Sequence, residues 1–191
     1  MKKNYAVVLG AVLGLATTHI VLADPTALSL VKNGDDYVGT LCKDRVLEAY
    51  SDKSVATMEP NVWHVVYYDP SVFSRSVDVK FGAGQEMEVS HPMRPFMIPA
   101  KARDVLDPRG LKVDSDRALR IATSQPILNG LTLRSSKMTL SNSDDGAVWK
   151  VELYAAKVGD PTREVSIGYV TMTADDGTIV KADLHPSSVS N

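Results

Sequence analysis

The side chains best suited by type and spacing to do chemistry lie in "EMEVSHPMRPFM", where Met87, His91, Met93 and Met97 fall within eleven positions. Thioethers with an imidazole form a donor set that suits Cu(I). One reading is therefore a copper site centred on His91 and Met93. The other is packing: Met87 takes an inward strand position, while Met93, Phe96 and Met97 seat a proline-rich connector, as flexible thioethers do in irregular gaps. Cys42 is the single cysteine of the sequence, so no disulfide forms within it, and pairing with another chain stays open. A catalytic thiol needs a base and an electropositive setting; no local signature supplies them for Cys42, and it reads as a small buried residue. The acidic pairs Asp35-Asp36, Asp144-Asp145 and Asp175-Asp176 lack the spacing of a calcium loop. They read as turns. No G-x-S-x-G, H-E-x-x-H, C-x-x-C or phosphate-cradling glycine loop is present. No catalytic, cofactor-binding or metal-binding residue is assigned from sequence, no cofactor is expected, and the expectation is a protein that is not an enzyme.

The first 23 residues read as an address. Lys2 and Lys3 precede the apolar run from Tyr5 to Ala16, and Val21-Leu22-Ala23 ends in the small residue a signal peptidase needs. The expectation is a signal peptide over 1–23, cut after Ala23, and a periplasmic or secreted chain starting at Asp24. An uncleaved anchor is the rival reading, although Thr17, Thr18 and His19 interrupt its apolar run. Without Lys2 and Lys3, the 21 basic residues become 19 against 23 acidic ones. With that balance and no basic stripe, nucleic acid is not an expected partner. Nothing beyond residue 23 is apolar for long enough to span a bilayer, so the mature chain is expected not to cross a membrane.

The elements that would position these side chains follow from periodicity. Residues 35–52 show helix spacing, with Val38, Leu41, Cys42, Val46 and Ala49 on one face. Residues 62–69 alternate, placing Trp63, Val65 and Tyr67 inward and His64, Val66 and Tyr68 outward. Residues 75–81 put Val77, Val79 and Phe81 inward, and 86–89 return with Met87 and Val89 inside. Prolines 92, 95, 99 and 108 then break regular structure, leaving a connector with a short helix near 101–106. A second helix begins at Asp114 or Ser115 and buries Ala118, Leu119, Ile121 and Ala122. Strands follow at 131–140, at 148–156 with Trp149, Val151 and Leu153 inward, at 165–174 and at 179–184, with "VGDPTRE" as a loop. In the third of these, inward parity flips near Gly168, which predicts a β-bulge.

The two halves echo each other. Trp63, Val65 and Tyr67 match Trp149, Val151 and Leu153 at a constant offset of 86, and "KDRVL" is answered by "SDRAL". This predicts a duplicated unit. "DSDRALRIA", "GAVWKVEL" and "IGYVTMTADDGTIVKADL" together resemble the PepSY domain over residues 111–185, with a weaker echo over 35–91. The resemblance implies small α+β units in which a helix packs on an antiparallel sheet, location outside the cytoplasm, and in some members the restraint of peptidases. It supplies no catalytic residues to carry over.

The expected fold class is α+β, in two similar units, each a helix packed on an antiparallel β-meander. The expected organisation is a first PepSY-like unit over 24–91, a proline-rich connector over 92–110 and a second PepSY-like unit over 111–191. The expected function is an exported, non-catalytic binding or regulatory protein of the cell envelope, with a protein or peptide partner or a restrained peptidase. An exposed sheet edge could accept such a chain. The alternative is a periplasmic copper-binding protein using His91 and Met93.

Overall fold

The computed structural model describes residues 25–92 and 100–190. Helix α1 (Ala27–Gly34) is followed by strands β1 (Val46–Ser51), β2 (Val62–Tyr68), β3 (Ser76–Gly82) and β4 (Gln85–Ser90). Two single 3₁₀ turns, Ala102–Asp104 and Pro108–Gly110, lead to helix α2 (Ser115–Thr123). Strands β5 (Leu133–Ser143), β6 (Gly146–Lys157), β7 (Asp160–Thr173) and β8 (Ile179–Leu184) follow, and after β8 comes a 3₁₀ turn at Pro186–Val189. All eight strands form one antiparallel sheet in the order β4-β3-β2-β1-β5-β6-β7-β8.

The expectation of two separate helix-on-meander units is therefore overturned: the strands of both halves belong to a single eight-stranded sheet, carrying only short helices. The seam is β1 against β5, in the register Glu48↔Ser141, Ala49↔Leu140 and Tyr50↔Thr139. Residues 46–51 had helix spacing because β1 carries a bulge: Val46 pairs with Tyr67 and Glu48 with Val66, leaving Leu47 unmatched. An extra residue in a strand shifts its side-chain parity, so Val46 and Ala49 are both buried three positions apart. Residues 35–44 form turns, with Asp44 at φ 59°. Cys42 is buried there while Leu41 is exposed.

Where β1 runs out, buried serines continue the seam. Ser51 Oγ accepts the Met138 N–H at 2.9 Å, and Ser54 Oγ accepts the Ser136 N–H at 2.9 Å. Ser136 Oγ donates to the Met58 carbonyl at 2.6 Å. These hydroxyls satisfy backbone groups that burial would otherwise leave unpaired at a cost.

One face of the sheet carries the core. Trp63, Val65, Tyr67, Val77, Val79, Phe81, Trp149, Val151 and Leu153 point to it as the alternation predicts, and all are buried. The two indoles share this core, their rings meeting edge-on with centroids 6.3 Å apart. Each indole N–H finds a carbonyl, Trp63 at Pro60 (3.0 Å) and Trp149 at Val113 (2.8 Å). The helices lie on this face. α1 is too short to be stable alone, and its Thr26 N-cap makes no side-chain bond. Its open N–H groups are instead met from the other half: Ser115 Oγ accepts from Ala27 at 3.0 Å and Asp114 Oδ1 from Leu28 at 3.1 Å. Among the described residues, no helix is long and apolar enough to cross a membrane.

Four finer expectations also change. Met87 and Val89 on edge strand β4 are exposed, at 62% and 42%. "VGDPTRE" is mostly strand: only a tight turn at Val158 and Gly159 separates β6 from β7. Pro161 is tolerated because β8 pairs with β7 only from Gly168 onward. The bulge expected near Gly168 is present in β7, at Ile167 between the pairs Leu153↔Gly168 and Tyr154↔Ser166, but Tyr169 faces outward where the alternation placed it inward. Finally, Tyr68 is buried at the strand end, its ring under the Arg45 guanidinium and its hydroxyl accepting from Arg75 at 3.1 Å.

Candidate functional site: the outer face of the sheet

The face opposite the helices is built from the alternate strand positions. Register places one residue from every strand in a single row across it: Glu88, Lys80, His64, Tyr50, Thr139, Lys150, Thr171 and Lys181. Cross-strand neighbours of this kind lie close enough to interact.

On the β1–β3 side the row centres on His64. Its ring stacks on Tyr50 with centroids 4.5 Å apart and planes 3° off parallel. Nδ1 lies 2.9 Å from Asp78 Oδ2, and Nε2 lies 3.8 Å from Asp52 Oδ1. Lys80 reaches the second oxygen of Asp52 at 3.7 Å, and the Tyr50 hydroxyl donates to Asp78 Oδ2 at 3.4 Å. Asp78 Oδ1 is buried with no hydrogen-bond partner among the described residues. A histidine oriented by a carboxylate is half of a nucleophile-activating pair. Here Nε2 faces a second carboxylate, where activation would need a hydroxyl or thiol. The arrangement fixes the imidazole edge and ring as a recognition surface. A cleft of about 420 Å³ opens beside it, its lining including Leu47, Glu48, Val66, Ser76, Asp78 and Asn142.

On the β5–β8 side, tyrosines serve as platforms for lysines. Lys53 Nζ stands 4.4 Å from the Tyr154 ring centroid, and Lys150 and Lys181 stand 4.7 and 5.2 Å from that of Tyr169. Each lysine also pairs with a carboxylate: Lys53 with Glu164 at 2.7 Å, Lys150 with Glu152 at 2.9 Å and Lys181 with Asp183 at 3.1 Å. Lys53, and then the Ser135 hydroxyl, hold the Glu164 carboxyl below its usual range. Burial, followed by Glu152, pushes the Tyr154 hydroxyl up. Both tyrosines present partly covered rings held in place by the lysines beside them.

His64 faces outward as its alternation with Trp63 and Val65 predicted, and is held at 13% side-chain exposure by its neighbours. Its partners Tyr50 and Asp52 were hidden because residues 35–52 read as a helix. Lys53 and Glu164 are far apart in sequence and carried no signal. His91 Nε2 lies 3.5 Å from Asp69 Oδ2, while Asp69 Oδ1 accepts from the backbone and hydroxyl of Ser71. Cys42 lines a separate cleft with Asp69, Ser71 and His91, and its thiol is pushed up by burial first and then by Asp69. Met87 is exposed on β4, while Met93 and Met97 lie outside the described residues. Among the described residues, no three His, Cys, Asp or Glu side chains are grouped to hold a metal ion. The Asp175-Asp176 pair is a turn: Asp176 accepts from both the backbone and the hydroxyl of Thr178 at 2.8 Å.

No family model, no curated protein and no solved structure matches the chain.

Proposed function

We propose that the protein is an exported, non-catalytic binding module of the cell envelope that takes a protein or peptide partner on the outer face of its sheet. The observation carrying this reading is the row of pre-set aromatic and charged side chains around Tyr50, His64, Tyr154 and Tyr169, on the face opposite α1 and α2. Tyrosine supplies large contact area at low entropic cost, and pairing the lysines beforehand reduces what binding must order. Export is supported by the charged and apolar start of the sequence. The PepSY resemblance of residues 111–185 favours a peptidase as the partner.

The test is affinity capture from envelope extract with residues 24–191, alongside Tyr154→Ala/Tyr169→Ala. The wild-type chain should recover a defined partner, and the variant should lose it while melting at the same temperature. Equal recovery by both proteins would move the site off this face, and recovery of nothing by the wild type would end the reading.

A further inference from the structure

A second cavity lies beside α1, on the helix-bearing side and away from Tyr154 and Tyr169. It measures about 310 Å³, within the size range of small-ligand sites. Its walls are apolar: Leu28 and Val31 from α1, Val46 from the start of β1, and Leu106, Pro108 and Leu111 from the segment before α2. Leu28, Val31 and Leu111 are only partly buried although they pack against the core, so they present apolar surface to the cavity. The Leu106 N–H donates to the Val46 carbonyl at 2.7 Å and ties the two walls together.

The mouth is acidic. Asp35 and Asp44 both line it, with Lys32 alongside. The backbone N–H of Asp44 donates to Asp35 Oδ1 at 3.0 Å, which holds the two residues together across the turn. Their negative charges are felt inside the fold: burial first, and then Asp35 and Asp44, push the Tyr67 hydroxyl up, and that hydroxyl donates to the Val31 carbonyl at 2.7 Å. Lys43 lies near enough to favour the Asp35 carboxylate. Among the described residues, neither it nor Lys32 forms an ion pair with Asp35 or Asp44. Burial and then the Asp44 charge raise the Asp35 carboxyl, against the Asp44 N–H and Lys43, which lower it.

We propose that this cavity binds a primary ammonium carried on an apolar group, the apolar part seated among Leu28, Val31, Leu106 and Leu111 and the ammonium between Asp35 and Asp44. An ammonium offers three donors and no acceptor, which suits two carboxylates that no lysine engages in an ion pair among the described residues. The site is independent of the outer face, so either can fail without the other.

The test is calorimetric titration of residues 24–191 with octylamine, octanol and octanoate, which share one chain length and differ in charge. Octylamine should bind about tenfold more tightly than octanol, the usual scale for a hydrogen bond to a charged group, and octanoate should bind least. Asp35→Asn/Asp44→Asn should erase the preference for the amine while leaving octanol unchanged, because Asp44 is exposed, Asp35 is only partly buried, and an asparagine at 35 still accepts the Asp44 N–H. Leu111→Trp, which fills the cavity, should weaken all three. A leucine-first peptide with a free amino terminus, compared with its acetylated form, tells a peptide terminus from an alkylamine as the natural source. Binding that ignores charge, favours octanoate or survives both variants would overturn the proposal, as would no binding of either the amine or the free peptide.

Discussion

Asp176 shows how a sequence pattern becomes a titration. Its carboxylate gathers the Thr173 hydroxyl and the backbone and hydroxyl of Thr178, and these bonds, led by that from Thr173, lower its pKa to about 2. Asp69 is lowered chiefly by the Ser71 hydroxyl, and Glu164 by Lys53. A carboxyl depressed in the folded state stabilises the fold above its unfolded pKa of about 4, and that contribution is lost as pH falls through the folded value. Urea unfolding at pH 7, 4 and 2.5 should therefore show stability held to about pH 4 and falling below it. Asp176→Asn should flatten the decline between about pH 4 and 2. Asp35, raised by burial, works in the opposite sense, so the decline should be shallower than the three lowered carboxyls alone would give. Stability that does not fall below pH 4 would contradict these assignments.

At the level of elements, α1 depends on a residue pair 86 and 88 positions away. Asp114 and Ser115 open α2 and also accept the first N–H groups of α1. The sequence marked Asp114 and Ser115 as a helix start, but nothing in it disclosed the second helix they cap. Ser115→Ala should lower stability by about 1 kcal/mol and speed amide exchange in α1 more than in α2. Equal exchange in both helices would show that the hydroxyl does not serve α1. The strands with clean alternation, β2 and β6, were legible down to the facing of each side chain, because their two faces differ in burial. β1 was not, because the unmatched Leu47 gave it helical spacing. That single bulge also hid Tyr50 and Asp52, and with them the surroundings of His64. α1 escaped notice for a different reason: its eight residues span little more than two turns.

Over the whole molecule, the misread strand is the one that joins the halves. With β1 taken as helix, two separate meanders follow. With β1 in place, Ala49 meets Leu140 across the seam, and Trp63 and Trp149 meet in one core. Residues 24–91 and 111–191 made as separate chains would each expose an indole, a seam strand and unpaired serine-bound amides. Neither should show a cooperative melt or native near-ultraviolet dichroism, whereas residues 24–191 should show both. A cooperative transition in either piece alone would mean that the halves are independent after all.

The two outermost ladders each slip register, β3–β4 between Lys80 and Phe81 and β7–β8 between Thr171 and Met172. Glu86 and Glu88 stud one rim, and Lys181 and Asp183 the other. A kinked, ionised margin is a poor template for another molecule's strand, so a protein built around one broad sheet can stay dispersed at high concentration instead of polymerising end to end into fibres.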